Sequence, residues 1–395
     1  MRVPPDFTSV LVARRESIFP SRSTRAARRL VPPISATRAA SAISPPDDGP
    51  TVCYNSPHLL IQYPIWRLPV ALSADTARGI AMAKKALSSE TWAPTPLLPA
   101  STIGRRIGVE LWLKHEQCSP IGSFKLRGGL ATVEALAGKI GAKGVYVPSA
   151  GNYGQAISLA GKRRGIKVTV VAPETVTPSK VEKMEVFGAT VIKKGHDFDA
   201  AKEWARQEAA RVGAAFWEDG VIEEMAYGAA TIATEIVEKR MEWDYAVIPI
   251  GNGSLMKGMA QVFRSESPRT RIIGLVPTGA PSMAYAVRGK PWDTATPIDS
   301  YADGLAVRVP IPKISRELDP LVDDIWMVEE SKLLPAVKSL MELEQVMVEP
   351  SGASTLVGVA AHRADLAGKR VVAVLTGAHL RMSLLPEVLK VNGLV

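Results

Sequence analysis

Apolar and polar positions fall into a regular pattern from Ser73 onward. Ser73 and Asp75 can cap a helix running to about Ser88. Pro94 and Pro96 then force extended backbone on the residues before them. Beyond this point short β-rich runs alternate with helix-length segments. The runs are 144–148, 167–172, 190–193, 245–250, 271–276 and 370–375, and the amphipathic spacing between them predicts helices at 179–187, 200–211 and 222–241. Largely continuous apolar runs suit strands buried on both faces, as in a parallel sheet covered by helices. Nothing repeats at a fixed period. The expected fold class is α/β.

The loops after these runs carry the chemistry. Run 144–148 leads into Ser149, Ala150, Gly151, Asn152 and Tyr153 and then a helix. Run 245–250 leads into Gly251, Asn252, Gly253, Ser254 and Leu255 and another helix, and run 370–375 ends in Thr376, Gly377, Ala378 and His379. Ligands in such sheets lie beyond the carboxyl ends of strands, and helix N-termini there favour anions. Two such loops predict two anionic groups, or one ligand with two. The glycines at 251, 253 and 258 suggest a dinucleotide site, but run 271–276 is followed by Pro277 and Thr278 rather than by a ribose-binding acid. A cradle for one phosphate fits better; a tight turn with close helix packing is the plainer alternative. Lys125 stands where a helix should begin, a position at which a free cation opposes the helix dipole. An amine tied up covalently, or lowered in pKa, would be less costly there.

Composition narrows the classes. The 395 residues allow one large or two ordinary domains, and 46% hydrophobic with 22% charged residues is a globular balance. No apolar stretch approaches the roughly 18 residues of a membrane span, which excludes an integral helical membrane protein. Cys53 and Cys118 are too few for a disulfide framework or a cysteine-based zinc site and read as buried or idle thiols. Of the formal charge of +9, six units lie in residues 1–46, leaving +3 for the rest. The body therefore has no basic surplus for tracking nucleic acid. Residues 1–46 hold eight arginines, seven prolines and seven serines without periodicity, the composition of a disordered extension outside the fold. Their Arg and Ser content also suits an organelle transit peptide. A cytoplasmic location is expected, with organelle targeting through this tail as the alternative.

Several elements, taken in order, resemble one family. They are Thr95-Pro96-Leu97, Leu113-Lys114-His115-Glu116, Gly122-Ser123-Phe124-Lys125-Leu126-Arg127-Gly128, the loop from Ser149 to Ala156, Phe187-Gly188-Ala189-Thr190 and the glycine loop from Gly251. Ala302-Asp303-Gly304-Leu305, Glu349-Pro350-Ser351-Gly352 and Leu375-Thr376-Gly377 follow. The chain is similar to the serine/threonine dehydratase branch of the fold-type II pyridoxal-phosphate enzymes.

The resemblance implies two parallel-rich open sheets flanked by helices, with a large domain at 52–144 and 222–395 and a small domain at 145–221. It implies pyridoxal 5'-phosphate joined to Lys125. Gly251, Asn252, Gly253, Ser254 and Leu255 would hold the phosphate, Asn152 would meet the cofactor's 3-hydroxyl, and Thr376 would face the pyridine nitrogen. Ser149, Ala150, Gly151, Asn152 and Tyr153 would bind the substrate carboxylate. The implied activity is loss of water from a threonine- or serine-like 3-hydroxy amino acid, giving a 2-oxo acid and ammonia. A small amino-acid substrate and a homodimer are the implied partners, with no nucleic acid or membrane.

Departures from the family pattern sharpen these expectations. Ala150 stands where related racemases carry a second serine and diaminopropionate-cleaving relatives an aspartate, which disfavours both activities. Val276 and Ser282 replace the acids of metal-activated members, so no divalent cation is expected there. Tyr153 occupies a position more often small or His and would crowd or line the pocket, leaving a bulkier substrate open. His379 replaces an asparagine, either to touch a substrate side chain or to pack. Arg127 is expected in a structural ion pair, and Glu349 either near the cofactor ring or simply at the start of a helix. The 19 residues after Thr376 leave no room for an appended regulatory domain, so isoleucine feedback is not expected. The competing readings are β-replacement of the cysteine synthase kind and, in a different class, a non-catalytic or NAD-binding α/β protein.

Overall fold

A computed structural model describes residues 69–395. The extension at 1–46, residues 52–68 of the expected large domain and Cys53 lie outside them. The ten strands in this span are β1 (Leu97–Pro99), β2 (Glu110–His115), β3 (Val145–Pro148), β4 (Val168–Ala172), β5 (Thr190–Lys193), β6 (Ala215–Phe216), β7 (Tyr245–Pro249), β8 (Arg271–Pro277), β9 (Asp324–Val328) and β10 (Arg370–Leu375). Six strands in the order β1-β2-β10-β7-β8-β9 form one sheet, and four in the order β5-β4-β3-β6 form the other. All pairs are parallel except β1 with β2.

Alternation along the strands explains the larger core. Val371, Ala373 and Leu375 join Val247 and Ile273 on one face, while Val372 and Val374 join Ala246, Ile248 and Ile272 on the other. Successive side chains in a strand point to opposite faces, so each run needs apolar residues at every position. Helices Glu330–Leu343 and Pro350–Ala361 cover the first face; Glu223–Val237 and Ser254–Glu266 cover the second. In the smaller sheet Val145, Val147, Val168 and Val170 pack with Tyr153, Ile157 and Trp217. Among the described residues no helix is long and apolar enough to cross a membrane.

The six expected runs are strands, and the helix after Ser73 spans Ala74–Leu87, with Ser73 Oγ accepting the Thr76 N–H at 3.1 Å. The helix expected over 222–241 stops at Val237, and Arg240 turns into the left-handed region at φ 53°. Four strands lay outside the expected pattern. β1 and β6 have three and two residues, too short for a periodic signal. β2 carries Glu110, Lys114 and His115, and β9 is an edge strand with exposed Met327.

Candidate active site

Four strand ends converge on one cavity of about 500 Å³. β3 delivers residues 149–153, β6 delivers Glu218 and Asp219, β7 delivers the glycine loop and β10 delivers Thr376 and His379. Lys125 enters from the first turn of helix Lys125–Leu136. Its loop is stitched to the end of β10: Phe124 N donates to the Thr376 carbonyl at 3.0 Å and Ala378 N to the Gly122 carbonyl at 2.9 Å. All thirteen candidate residues named from the sequence, Lys125, residues 149–153, residues 251–255 and Thr376 among them with the flanking His379, line this cavity.

The Lys125 amine donates to Asp219 Oδ2 at 2.6 Å and to Ser254 Oγ at 3.4 Å. Asn252 Nδ2 reaches the same carboxylate at 3.3 Å, so Asp219 links the lysine to the glycine loop. Asp219 carried no motif in the sequence. Its one signal was position, an acidic pair before Gly220 just beyond a short apolar run. The glycine loop opens helix Ser254–Glu266 with Gly253 at φ 94°, where a Cβ would meet Ile314 at 2.4 Å. A side chain there would be both strained and obstructed. The first turn of this helix lines the cavity, which therefore meets the positive end of the helix dipole.

Residues 149–153 open helix Asn152–Arg163 in the same way. Ser149 Oγ accepts the N–H of Gly151 at 3.2 Å and of Gly154 at 2.8 Å, so this hydroxyl shapes the loop. Tyr153 is 5% exposed and its hydroxyl has no partner. Burial, with Asp219 and Glu218 nearby, pushes its pKa well above the ordinary 10, which keeps the proton on the oxygen. Asn152 Nδ2 donates to Glu349 at 3.1 Å, and its Oδ1 hydrogen-bonds His379 Nδ1. His379 thus packs against a site residue. Glu349 both precedes helix Pro350–Ala361 and borders the cavity.

Arg127 is fully buried, as an ion pair of structure requires. Its guanidinium donates to Glu116 at 2.7 and 2.9 Å and to Glu235 at 2.6 and 2.9 Å, and Lys114 joins Glu235 at 2.5 Å. Cys118 is exposed rather than buried, because it sits on the turn after β2; partial burial of the thiol and the Glu116 carboxylate push its pKa up.

Pyridoxal phosphate can be tested against these residues directly. Thr376 Oγ1 is buried at the cavity wall without a hydrogen-bond partner. Buried hydroxyls are normally paired, so this one is a vacancy for a ligand acceptor such as a ring nitrogen. The amine, the anion cradle and the orphaned hydroxyl suit the cofactor's aldehyde, phosphate and ring. The family model "Pyridoxal-phosphate dependent enzyme" matches residues 89–377.

The chain belongs to this family.

Within the pyridoxal-phosphate-dependent enzymes it is of fold type II and falls with the threonine/serine dehydratases. It is similar to L-threonine ammonia-lyase of Thermotoga maritima, with 32% identity over 303 residues, 76% of this chain and 75% of that protein. Threonine dehydratase 1 biosynthetic, chloroplastic, of Solanum lycopersicum is 30% identical over 304 residues, covering 75% of this chain and 50% of that protein. The chain therefore spans half the length of that relative. The processed form of threonine deaminase isoform 2 from Solanum lycopersicum superposes with a TM-score of 0.72 at 27% identity, over 85% of this chain and 93% of that structure. Pyridoxal phosphate is the cofactor of this enzyme family.

Proposed function

We propose that the protein is a pyridoxal-phosphate-dependent lyase that removes water from a 3-hydroxy amino acid, threonine- or serine-like, and releases a 2-oxo acid and ammonia. One observation carries this reading: the Lys125 amine opens onto the same cavity as the two helix starts at residues 149–153 and 251–255. In it Lys125 holds the cofactor covalently, residues 251–255 take the phosphate through their N–H groups, Asn152 meets the ring oxygen and Thr376 donates to the ring nitrogen. Bound there, pyridoxal phosphate supplies an electron sink for the bonds at Cα.

The chain's own groups do the rest. Backbone N–H groups at the start of helix Asn152–Arg163 hold the substrate carboxylate. The Lys125 amine, confined by its own tether, is the base for the Cα proton. Asp219, 2.6 Å away, holds the ammonium that results. Thr376 is a neutral donor and cannot protonate the ring nitrogen as a carboxylic acid could, which limits delocalisation and favours loss of the β-group. Ala150 offers no proton to the opposite face of Cα, which weighs against racemisation. The deciding experiment is ammonia release from serine, threonine, phenylserine and 3-hydroxyaspartate by the protein supplied with pyridoxal phosphate. Borohydride reduction with peptide mapping should place the label on Lys125; an unlabelled Lys125, or cysteine formed from O-acetylserine and sulfide faster than any 2-oxo acid, overturns the reading.

A further inference from the structure

Asn152 stands between two half-buried groups far away in sequence. On one side its Nδ2 donates to both oxygens of Glu349, at 3.1 and 3.4 Å. On the other its Oδ1 faces His379 Nδ1 within hydrogen-bond reach. The Ile121 backbone lies close enough to act on the His379 ring, whose Nε2 lies 3.2 Å from where a Cβ on Gly122 would stand. The fold keeps room for this arrangement, since a Cβ on Gly377 would fall 2.5 Å from Glu349 Oε1. Charged neighbours are few: Lys180 and Asp303 act on Glu349, and Lys180 and Lys183 act on His379.

A neutral imidazole carries one N–H. Asn152 Oδ1 faces Nδ1, so Nδ1 serves that oxygen only while it carries the ring proton. With Glu349 ionised, the carboxylate accepts from Asn152 Nδ2, and the ring proton sits on Nδ1 facing Oδ1. With Glu349 protonated, an O–H turned towards Asn152 needs an acceptor, and the amide nitrogen is none. Reversing the amide presents Oδ1 to Glu349 and Nδ2 to His379. His379 Nδ1 then accepts, and the ring proton moves to Nε2. Each state leaves the three side chains paired with one another; mixed states set donor against donor or acceptor against acceptor.

We propose that Glu349, Asn152 and His379 form one hydrogen-bond switch in which protonation of Glu349, direction of the Asn152 amide and tautomer of His379 change together. Its consequence rests on the proposed function: Asn152 is the residue assigned to the cofactor's ring oxygen, so the switch exchanges an N–H for a carbonyl there. His379 is a positioning residue and touches the chemistry only through Asn152. The electrostatics place the transition in a useful range. Burial raises the Glu349 pKa to about 7 against the pull of the Asn152 N–H. Burial, then Lys183 and Lys180, lowers that of His379 to about 4, so the ring stays neutral while Glu349 titrates.

The test is nitrogen NMR on the full chain labelled with ¹⁵N-histidine and supplied with pyridoxal phosphate, with His379→Asn identifying the signal among the five histidines. The Nε2–H tautomer is expected below the Glu349 midpoint at about 7 and the Nδ1–H tautomer above it. In Glu349→Gln the tautomer should not respond to pH across the same range. The absorption band of the bound cofactor should shift with the same midpoint in the wild type and lose that shift in Glu349→Gln and His379→Phe. A single tautomer throughout the wild-type titration, or an unchanged exchange in Glu349→Gln, overturns the switch. Tautomer exchange in a chain that takes up no cofactor supports the switch while defeating the functional reading, so the two failures are distinct.

Discussion

Lys125 and Arg127 are two residues apart in the first turn of one helix, yet the fold treats them oppositely. Arg127 has no exposed surface, and all three of its nitrogens are held by carboxylates or hydroxyls of Glu116, Glu235, Thr95 and Thr231. The paired carboxylates outweigh the effect of burial and keep the guanidinium charged. Lys125 has one close partner, Asp219, one long contact to Ser254, and an open path to the cavity. A saturated cation fixes geometry and has nothing left to exchange. An undersaturated one can give up its partner and react. Saturation of donors separates a cation fixed in the structure from one left free to react.

Breaking each cation should break a different property. Lys125→Ala should lower ammonia release by roughly 10³-fold or more, with the unfolding midpoint almost unmoved. Arg127→Met should do the reverse, destabilising the chain by about 3–5 kcal/mol in urea unfolding because Glu116 is left buried without its cation and Glu235 keeps only Lys114. If Arg127→Met folds as well as the wild type but loses turnover, the contrast fails. Asp219→Asn removes the charge beside Lys125 and should lower kcat by roughly 10- to 100-fold, with a smaller change in KM.

The Glu349–His379 pair sharpens the same contrast through pH. Glu349 has its folded pKa raised from 4.5 to about 7, so its contribution to stability falls as pH rises through that window. His379 has its folded pKa lowered from 6.5 to about 4, so its contribution is complete above 6.5 and is lost as pH falls towards 4. Between 4.5 and 6.5 the two slopes oppose. Relative to the wild type, Glu349→Gln should gain stability with rising pH there and His379→Asn should lose it, each by at most about 1.4 kcal/mol per pH unit. Parallel curves for both variants would refute the assignment. The smallest effect is expected at Thr376. Thr376→Val replaces an unpartnered buried hydroxyl, so the cofactor-free chain should be up to about 1 kcal/mol more stable while holding pyridoxal phosphate roughly 5- to 10-fold less tightly.

Much of this site was legible before the fold was known. Lys125, the glycine loop and residues 149–153 announce themselves because a functional loop after a strand must be small, turn-prone and followed by a helix start. Asp219 did not. It follows a two-residue strand, and an acidic pair in a loop is indistinguishable from a solvated one until the lysine opposite is placed. The role of His379 was equally hidden, since its partner lies 227 residues away. Strands β2 and β9 escaped because charged or exposed positions interrupt their apolar pattern.

By itself the sequence determined which segments become strands and helices and where loops must turn, because backbone preference and apolar periodicity are local properties. It also determined the chemical types available at each loop. Only the tertiary structure decided strand order, the saturation of Arg127 and the pairing of Lys125 with Asp219. Those depend on groups distant along the chain reaching hydrogen-bond range, and a contact of that kind leaves no periodic trace in either segment.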